Sequence, residues 1–293
     1  MILMRCSIAS YALPLLIGLE LILGCGTTTS TSRAVKPSVL APEAIKVVGE
    51  IGWSPRQLSG SRKYFIHDSS IVSVSTDTSQ TRSTETSTFY SVRVSRSSDS
   101  FVLMAKVDSL LTTSQSPSLK APVNIDPARE FRTILSATGQ LFLPAQDSTS
   151  LCPDGVTPAA ARIYELVLSY PERALKIGDS WTDTVSTTVC RSKIPLHQRA
   201  IRIYQILSFT TWNQQSAVII SRNVSSILST DSKQIPNHLG VAGSGESSTF
   251  IYANQATGVL LQSDTRSQST LAVRTSRGVF PFRQIINTHI ELH

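Results

Sequence analysis

Charge is scarce in this chain. Only 16% of residues are Asp, Glu, Lys or Arg, and aromatics are 6%. The Lys and Arg behind the net charge of +7 are spread along the chain rather than clustered. Without a basic patch interleaved with aromatics, nucleic acid is not an expected partner. There is no CxxC pair, and no His has Asp three residues before it. The glycine-rich run Gly240-Val241-Ala242-Gly243-Ser244-Gly245 carries no Lys and precedes a strand, not a helix. A phosphate-binding loop needs both, so the run is expected to be a mobile loop at the mouth of a sheet. No metal and no cofactor is expected.

The apolar run from about Ile8 to Leu23 is interrupted by Pro14 and Glu20, follows a single basic residue, Arg5, and ends at Gly24-Cys25. It suits a cleaved export signal better than a permanent span, which needs about 20 mostly uncharged residues. Leu21-Ile22-Leu23-Gly24-Cys25 resembles the lipobox of bacterial lipoproteins. The resemblance implies cleavage before Cys25, acylation of Cys25, and attachment to the bacterial envelope. Gly26 lacks an inner-membrane retention cue known in some bacteria, which favours the periplasmic face of the outer membrane. Residues 1–24 are then the signal, 25–44 a polar low-complexity tether, and 45–293 a single domain.

Four cysteines are present. With Cys6 in the signal and Cys25 acylated, Cys152 and Cys190 form an even pair in an oxidising compartment, the setting for a disulfide. Closing about 38 residues would contribute about 3–4 kcal/mol if unstrained.

Ser and Thr are abundant, and they fall into period-two patterns. From Val259 to Thr275 the odd positions are Val259, Leu261, Ser263, Thr265, Ser267, Ser269, Leu271 and Val273; the even positions are mostly polar or charged. Such alternation is a strand with one face inside and one in water. Phe282 to Leu292 repeats it. Further strands are expected at Lys63–Ser75, Thr86–Ser95, Phe101–Leu111, Phe131–Leu135, Trp181–Arg191, Arg199–Phe209, Ala217–Leu228 and Thr249–Ala253, joined by short polar turns. Thr157-Pro158 opens a helix predicted over Pro158–Leu168, ended by Pro171. Long antiparallel strands favour a mainly β fold: a large curved sheet or half-open barrel with one short helical insertion.

Pro171 to Trp181, with Gly178-Asp179-Ser180-Trp181, resembles a box in bacterial envelope lipoproteins. It implies a shared β-rich fold and no established chemistry. The outline is also similar to the periplasmic lipoprotein-carrier fold, in which a curved sheet and helical lid enclose an apolar cavity. Gly178-Asp179-Ser180 also matches the nucleophile box of certain lipases, but a serine without a base is a poor nucleophile. His289, Glu291 and His293 share one strand face, a spacing that can offer ligands to zinc, but the run ends the chain and a solvated outer face is the better explanation. The expected function is therefore non-catalytic. The chain would bind a lipid or other hydrophobic ligand against Val259, Leu261, Leu271 and Val273, with the helix as lid. The alternative is a scaffold with a filled core that binds other envelope proteins.

Overall fold

The computed structural model describes residues 49–74, 80–97, 100–114, 130–142, 161–191, 194–230, 240–276 and 278–293. Eleven strands form one antiparallel sheet. They are β1 (Gly60–Val74), β2 (Gln80–Ser97), β3 (Ser100–Ser114), β4 (Glu130–Leu135), β5 (Leu141–Phe142), β6 (Ser180–Arg191), β7 (Ile194–Trp212), β8 (Gln215–Ser229), β9 (Gly240–Asn254), β10 (Leu260–Thr275) and β11 (Gly278–Leu292). Among the described residues one short helix, α1 (Ile163–Leu166), precedes β6.

The order across the sheet is β5-β4-β3-β2-β1-β11-β10-β9-β8-β7-β6. Two meanders are thus joined where the first strand pairs with the last, from Tyr64 opposite Leu292 to Val74 opposite Phe282. This is the large antiparallel sheet that the alternation predicts, not closed into a barrel.

Its curvature follows from one peptide group. At about 4.8 Å per step, the edge strands of a flat eleven-stranded sheet would lie about 48 Å apart. Yet the Tyr170 N–H donates to the Thr138 carbonyl (2.9 Å), in the turn between β4 and β5. The Ser169 carbonyl accepts from Trp181 Nε1 (2.9 Å) on β6. Both atoms belong to the Ser169–Tyr170 peptide, so a single unit touches both ends of the strand order. The sheet bends round, and this segment clasps its open seam. Gly139 makes the clasp fit: its φ is +73°, and a Cβ there would sit 2.5 Å from the Leu168 carbonyl oxygen.

The clasp also explains where α1 ends. The predicted helix runs to Leu168, but Val167 is already extended (φ −127°, ψ 132°). The backbone beyond it bonds to other strands, and Pro171 biases Tyr170 away from helix. Tertiary hydrogen bonds override local propensity here. The second correction is the run Gly240–Gly245, which forms the start of β9 rather than a loop. At Gly243 a Cβ would lie 2.4 Å from the Thr270 carbonyl oxygen, so glycine there permits close approach of β10.

Residues 51–58 plug one end of the curl. Ile51 bridges Leu175, and Trp53 Nε1 donates to the Gln255 carbonyl (2.9 Å) at the β9–β10 turn. Ile51, Trp53, Leu58, Leu168, Tyr170 and Leu175 belong to the main core cluster. Residues 1–48, including the expected signal, tether and Cys25, lie outside the described residues, as do Pro158–Ala160, Cys152 and the Cys190 side chain.

Candidate functional site

The inner face is layered along the strands. At the plugged end it is apolar, with Tyr64, Ile66, Ile290, Ile251 and Ile220 buried. At the other end it is apolar again, with Val72, Phe282, Leu271, Val273, Val241 and Leu228 buried. Between the two lies a polar belt.

The first rung of the belt crosses five strands. Asp68, Thr288, Thr265, Thr249 and Arg222 stand opposite one another on β1, β11, β10, β9 and β8. Thr288 Oγ1 donates to Asp68 Oδ1 (2.5 Å), Thr249 and Thr265 share a hydrogen bond (2.9 Å), and Arg222 Nη2 donates to Thr249 Oγ1 (3.3 Å). The helical segment spans the rung. Arg162 pairs with Asp68 at 2.5 Å, and Glu165 pairs with Arg222 at 2.5 Å. Arg202 on β7 lies over the Tyr164 ring, 5.7 Å from its centroid. On β6, Asp183 accepts a hydrogen bond from Ser169.

Burial pushes the Glu165 carboxyl up, but Arg222, Arg202 and Arg162 outweigh it and hold it at about 2. Burial alone would lower Arg222; Glu165 and Tyr204 raise it above its ordinary value. The insertion is therefore docked as a charged, fully ionised element on a buried face.

The next two rungs differ in kind. Ser247, Ser267 and Thr84 lie in one, Ser269 and Gln284 in the next. All are buried. Yet the hydroxyl oxygens of Thr84, Ser247, Ser267 and Ser269, and the Gln284 Oε1, have no hydrogen-bond partner among the described residues. A buried polar atom left unmet costs about 1–3 kcal/mol. Four of them, on the neighbouring strands β9, β10 and β11, make a floor of unmet donors and acceptors next to an apolar rim, and Thr84 stands apart on β2, beyond Ser70 and Ile286.

Val259, Leu261, Leu271 and Val273, the expected ligand contacts, are all buried, at 7%, 0%, 1% and 1% exposure. They fall into two groups. Val259 and Leu261 sit at the plugged end, next to a bulge between Leu260 and Gln262. Leu271 and Val273 sit in the apolar rim, opposite Phe282 and Phe280. The hydroxyl floor separates them. Sequence reading missed Asp68, Arg202 and Arg222. Their signal is a charge in phase with apolar residues, as in Ile66-His67-Asp68-Ser69-Ser70 and Ile220-Ser221-Arg222-Asn223-Val224.

On the outer face, His289 Nδ1 lies 2.7 Å from Asp264 and its Nε2 lies 3.7 Å from Glu291. His293 meets Phe65 edge-on. No group of three ligating side chains is placed to hold a metal ion among the described residues. Ser180 is exposed at the start of β6. The adjacent Asp179 carboxylate is tied to Arg173 (2.6 Å) and the Lys176 N–H (3.0 Å), which hold it below its usual range. A recess of about 470 Å³ also opens on the outer face among Arg199, Ile201, Ile227, Glu246 and Gln268.

No protein-family model matches this chain, and no curated protein sequence matches it. Among solved structures, a LolA superfamily protein of Nitrosomonas europaea aligns with 79% of this chain and 86% of its own, at 7% identity and a TM-score of 0.14. Similarity at that level establishes neither a common fold nor a shared activity.

Proposed function

We propose that this chain is a lipid-anchored protein of the bacterial envelope, attached through Cys25 at the periplasmic face of the outer membrane. In this reading it binds a hydrophobic ligand with a polar end on the inner face of its open sheet and does no chemistry on it. One observation carries the proposal: the cluster of buried groups without partners among the described residues at Ser247, Ser267, Ser269 and Gln284, set against the apolar rim of Leu271, Val273 and Phe282. A polar head bonding to the floor and a chain lying on the rim would satisfy both. Pockets of this class are mostly apolar with a few placed polar groups. The helical segment covers the neighbouring rung and would act as the lid.

Native mass spectrometry tests this on a form beginning at Gly26, exported to a bacterial periplasm, with lipid extraction in parallel. A stoichiometric added mass that extracts as one lipid class supports the reading. A bare mass, with no uptake of added lipid, refutes it. The second reading, a scaffold for other envelope proteins, is favoured by one feature: Ile201, Ile203 and Ile227 lie exposed on β7 and β8, next to the sheet edge at β6. A bare mass together with a co-purifying envelope protein lost on Ile203→Asp would support that reading.

A further inference from the structure

Arg202 and Arg222 lie on adjacent strands of the inner face, Arg202 opposite Val224 and Arg222 opposite Tyr204. Both are nearly buried, at 7% and 3% exposure. Two neighbouring guanidinium groups in such a place need anions. The sheet offers Asp183, directly opposite Arg202. Its other inward carboxylate, Asp68, is four strands away from Arg222 and is already committed to Arg162 and Thr288. The anion at Arg222 comes instead from outside the sheet, from Glu165 on the four-residue helix.

The fit of Glu165 is incomplete. Its Oε2 meets Arg222 Nη2 alone among the guanidinium nitrogens, and Arg222 Nε is buried with no partner among the described residues. A carboxylate or phosphate free to turn would engage Nε and Nη2 together, the side-on fork that makes arginine the usual receptor for these groups. The unmet hydroxyls of Ser247 and Ser267 stand one rung away. They would donate to the remaining anion oxygens.

We propose that Arg202 and Arg222 are the receptor for the anionic head group of an amphiphile, a carboxylate or a phosphate, and that Glu165 occupies this receptor when no ligand is bound. The proposal rests on the ligand-binding reading above and sharpens it. The ligand carries a negative head, and it must displace Glu165. Entry of the head and release of the lid are then one exchange of carboxylate for anion.

The test uses the full chain in phosphatidylcholine nanodiscs, with empty nanodiscs as the partition control. The probes are dodecanoate, dodecyl phosphate and dodecanol, which share a chain and differ in the head. Both anions should bind at least about tenfold tighter than dodecanol. Glu165→Gln removes the competitor and should tighten both anions by about tenfold while leaving dodecanol unchanged. Arg222→Gln should erase the preference for anions and spare dodecanol. Should that variant fail to fold, Glu165→Gln with Arg222→Gln removes the charged pair together and should erase the preference equally. The stronger of the two anions identifies the head group. Equal binding of all three probes, or weaker anion binding by Glu165→Gln, overturns the proposal while ligand binding stands. No binding of any probe by any variant overturns both.

Discussion

Replacing Arg162 by Met leaves the buried Asp68 carboxyl on β1 without its cation. Both side chains are 8% exposed and 2.5 Å apart, so water cannot substitute for the missing partner. Breaking one side of a buried pair costs about 3–5 kcal/mol. In a domain of this size that lowers the melting temperature by about 6–20 °C. Asp68→Asn keeps the shape and an acceptor for Thr288 but strands Arg162, at a similar cost. The double variant removes both charges, and its cost should fall below that of either single variant, because the desolvation penalty disappears with the attraction. With each single variant at about 3–5 kcal/mol and the double below either, this double-mutant cycle should give a coupling of at least about 3 kcal/mol. Urea titration followed by tryptophan fluorescence measures all four proteins. Additive costs, or a single-variant cost below about 1 kcal/mol, would show that the pair is solvated and that the helical segment is not locked to β1 by charge.

Three other perturbations probe neighbouring parts of the argument. Glu165 is held at about 2, against 4.5 when unperturbed, so its contribution is complete above pH 4.5 and fades as pH falls toward 2. The gap in urea midpoint between wild type and Glu165→Gln should correspond to about 3 kcal/mol at neutral pH and close across that acid range; a gap independent of pH would contradict the ion pair. Gly139→Ala places a Cβ 2.5 Å from the Leu168 oxygen at a positive φ and should cost about 2–4 kcal/mol, with new proteolysis within residues 168–179; stability within about 0.5 kcal/mol of wild type would rule out the seam clasp. Ser267→Ala deletes an oxygen with no partner and should raise the stability of the ligand-free protein by about 0.5–2 kcal/mol while weakening ligand uptake, both read by thermal shift; a loss of stability would mean that the hydroxyl is satisfied.

The sheet was legible because its central strands obey a simple rule. Ser263, Thr265, Ser267, Ser269, Leu271 and Val273 are all buried on β10, and Phe282, Ile286 and Ile290 are buried on β11, as period-two alternation requires. What stayed hidden depends on partners distant in sequence. Nothing local to Ser169 and Tyr170 announces that one peptide will bond to both sheet edges. Leu168 reads as the end of a helix until Gly139 and Trp181 are placed beside it. Gly240–Gly245 reads as a loop because glycine is a poor strand former; only the approach of Thr270 on β10 gives Gly243 a reason to be there. The inward charges were visible in principle. Asp68 and Arg222 keep the phase of Ile66 and Ile220, but an alternating Ser- and Thr-rich strand tolerates polar residues on either face, which masks the signal.

The same Ser and Thr content separates two accounts of the interior. A core selected for stability alone would continue the Ile and Leu of the plugged end through to Leu271 and Phe282, and every hydroxyl between them would be a cost without return. The belt departs from that rule only where it faces inward, and it does so in two different ways. In the first rung, Thr288, Thr249 and Thr265 are hydrogen-bonded and the charges of Asp68 and Arg222 are met by the helical segment. In the next two, Ser247, Ser267, Ser269 and Gln284 retain polar atoms without partners. Local rules broken without a compensating contact mark functional positions more often than structural ones. The first rung holds the insertion to the sheet, and the rungs beside it, with Arg222 Nε, are where a second molecule would supply the missing bonds. A ligand that reaches Arg222 would engage both, releasing the insertion as it completes the floor.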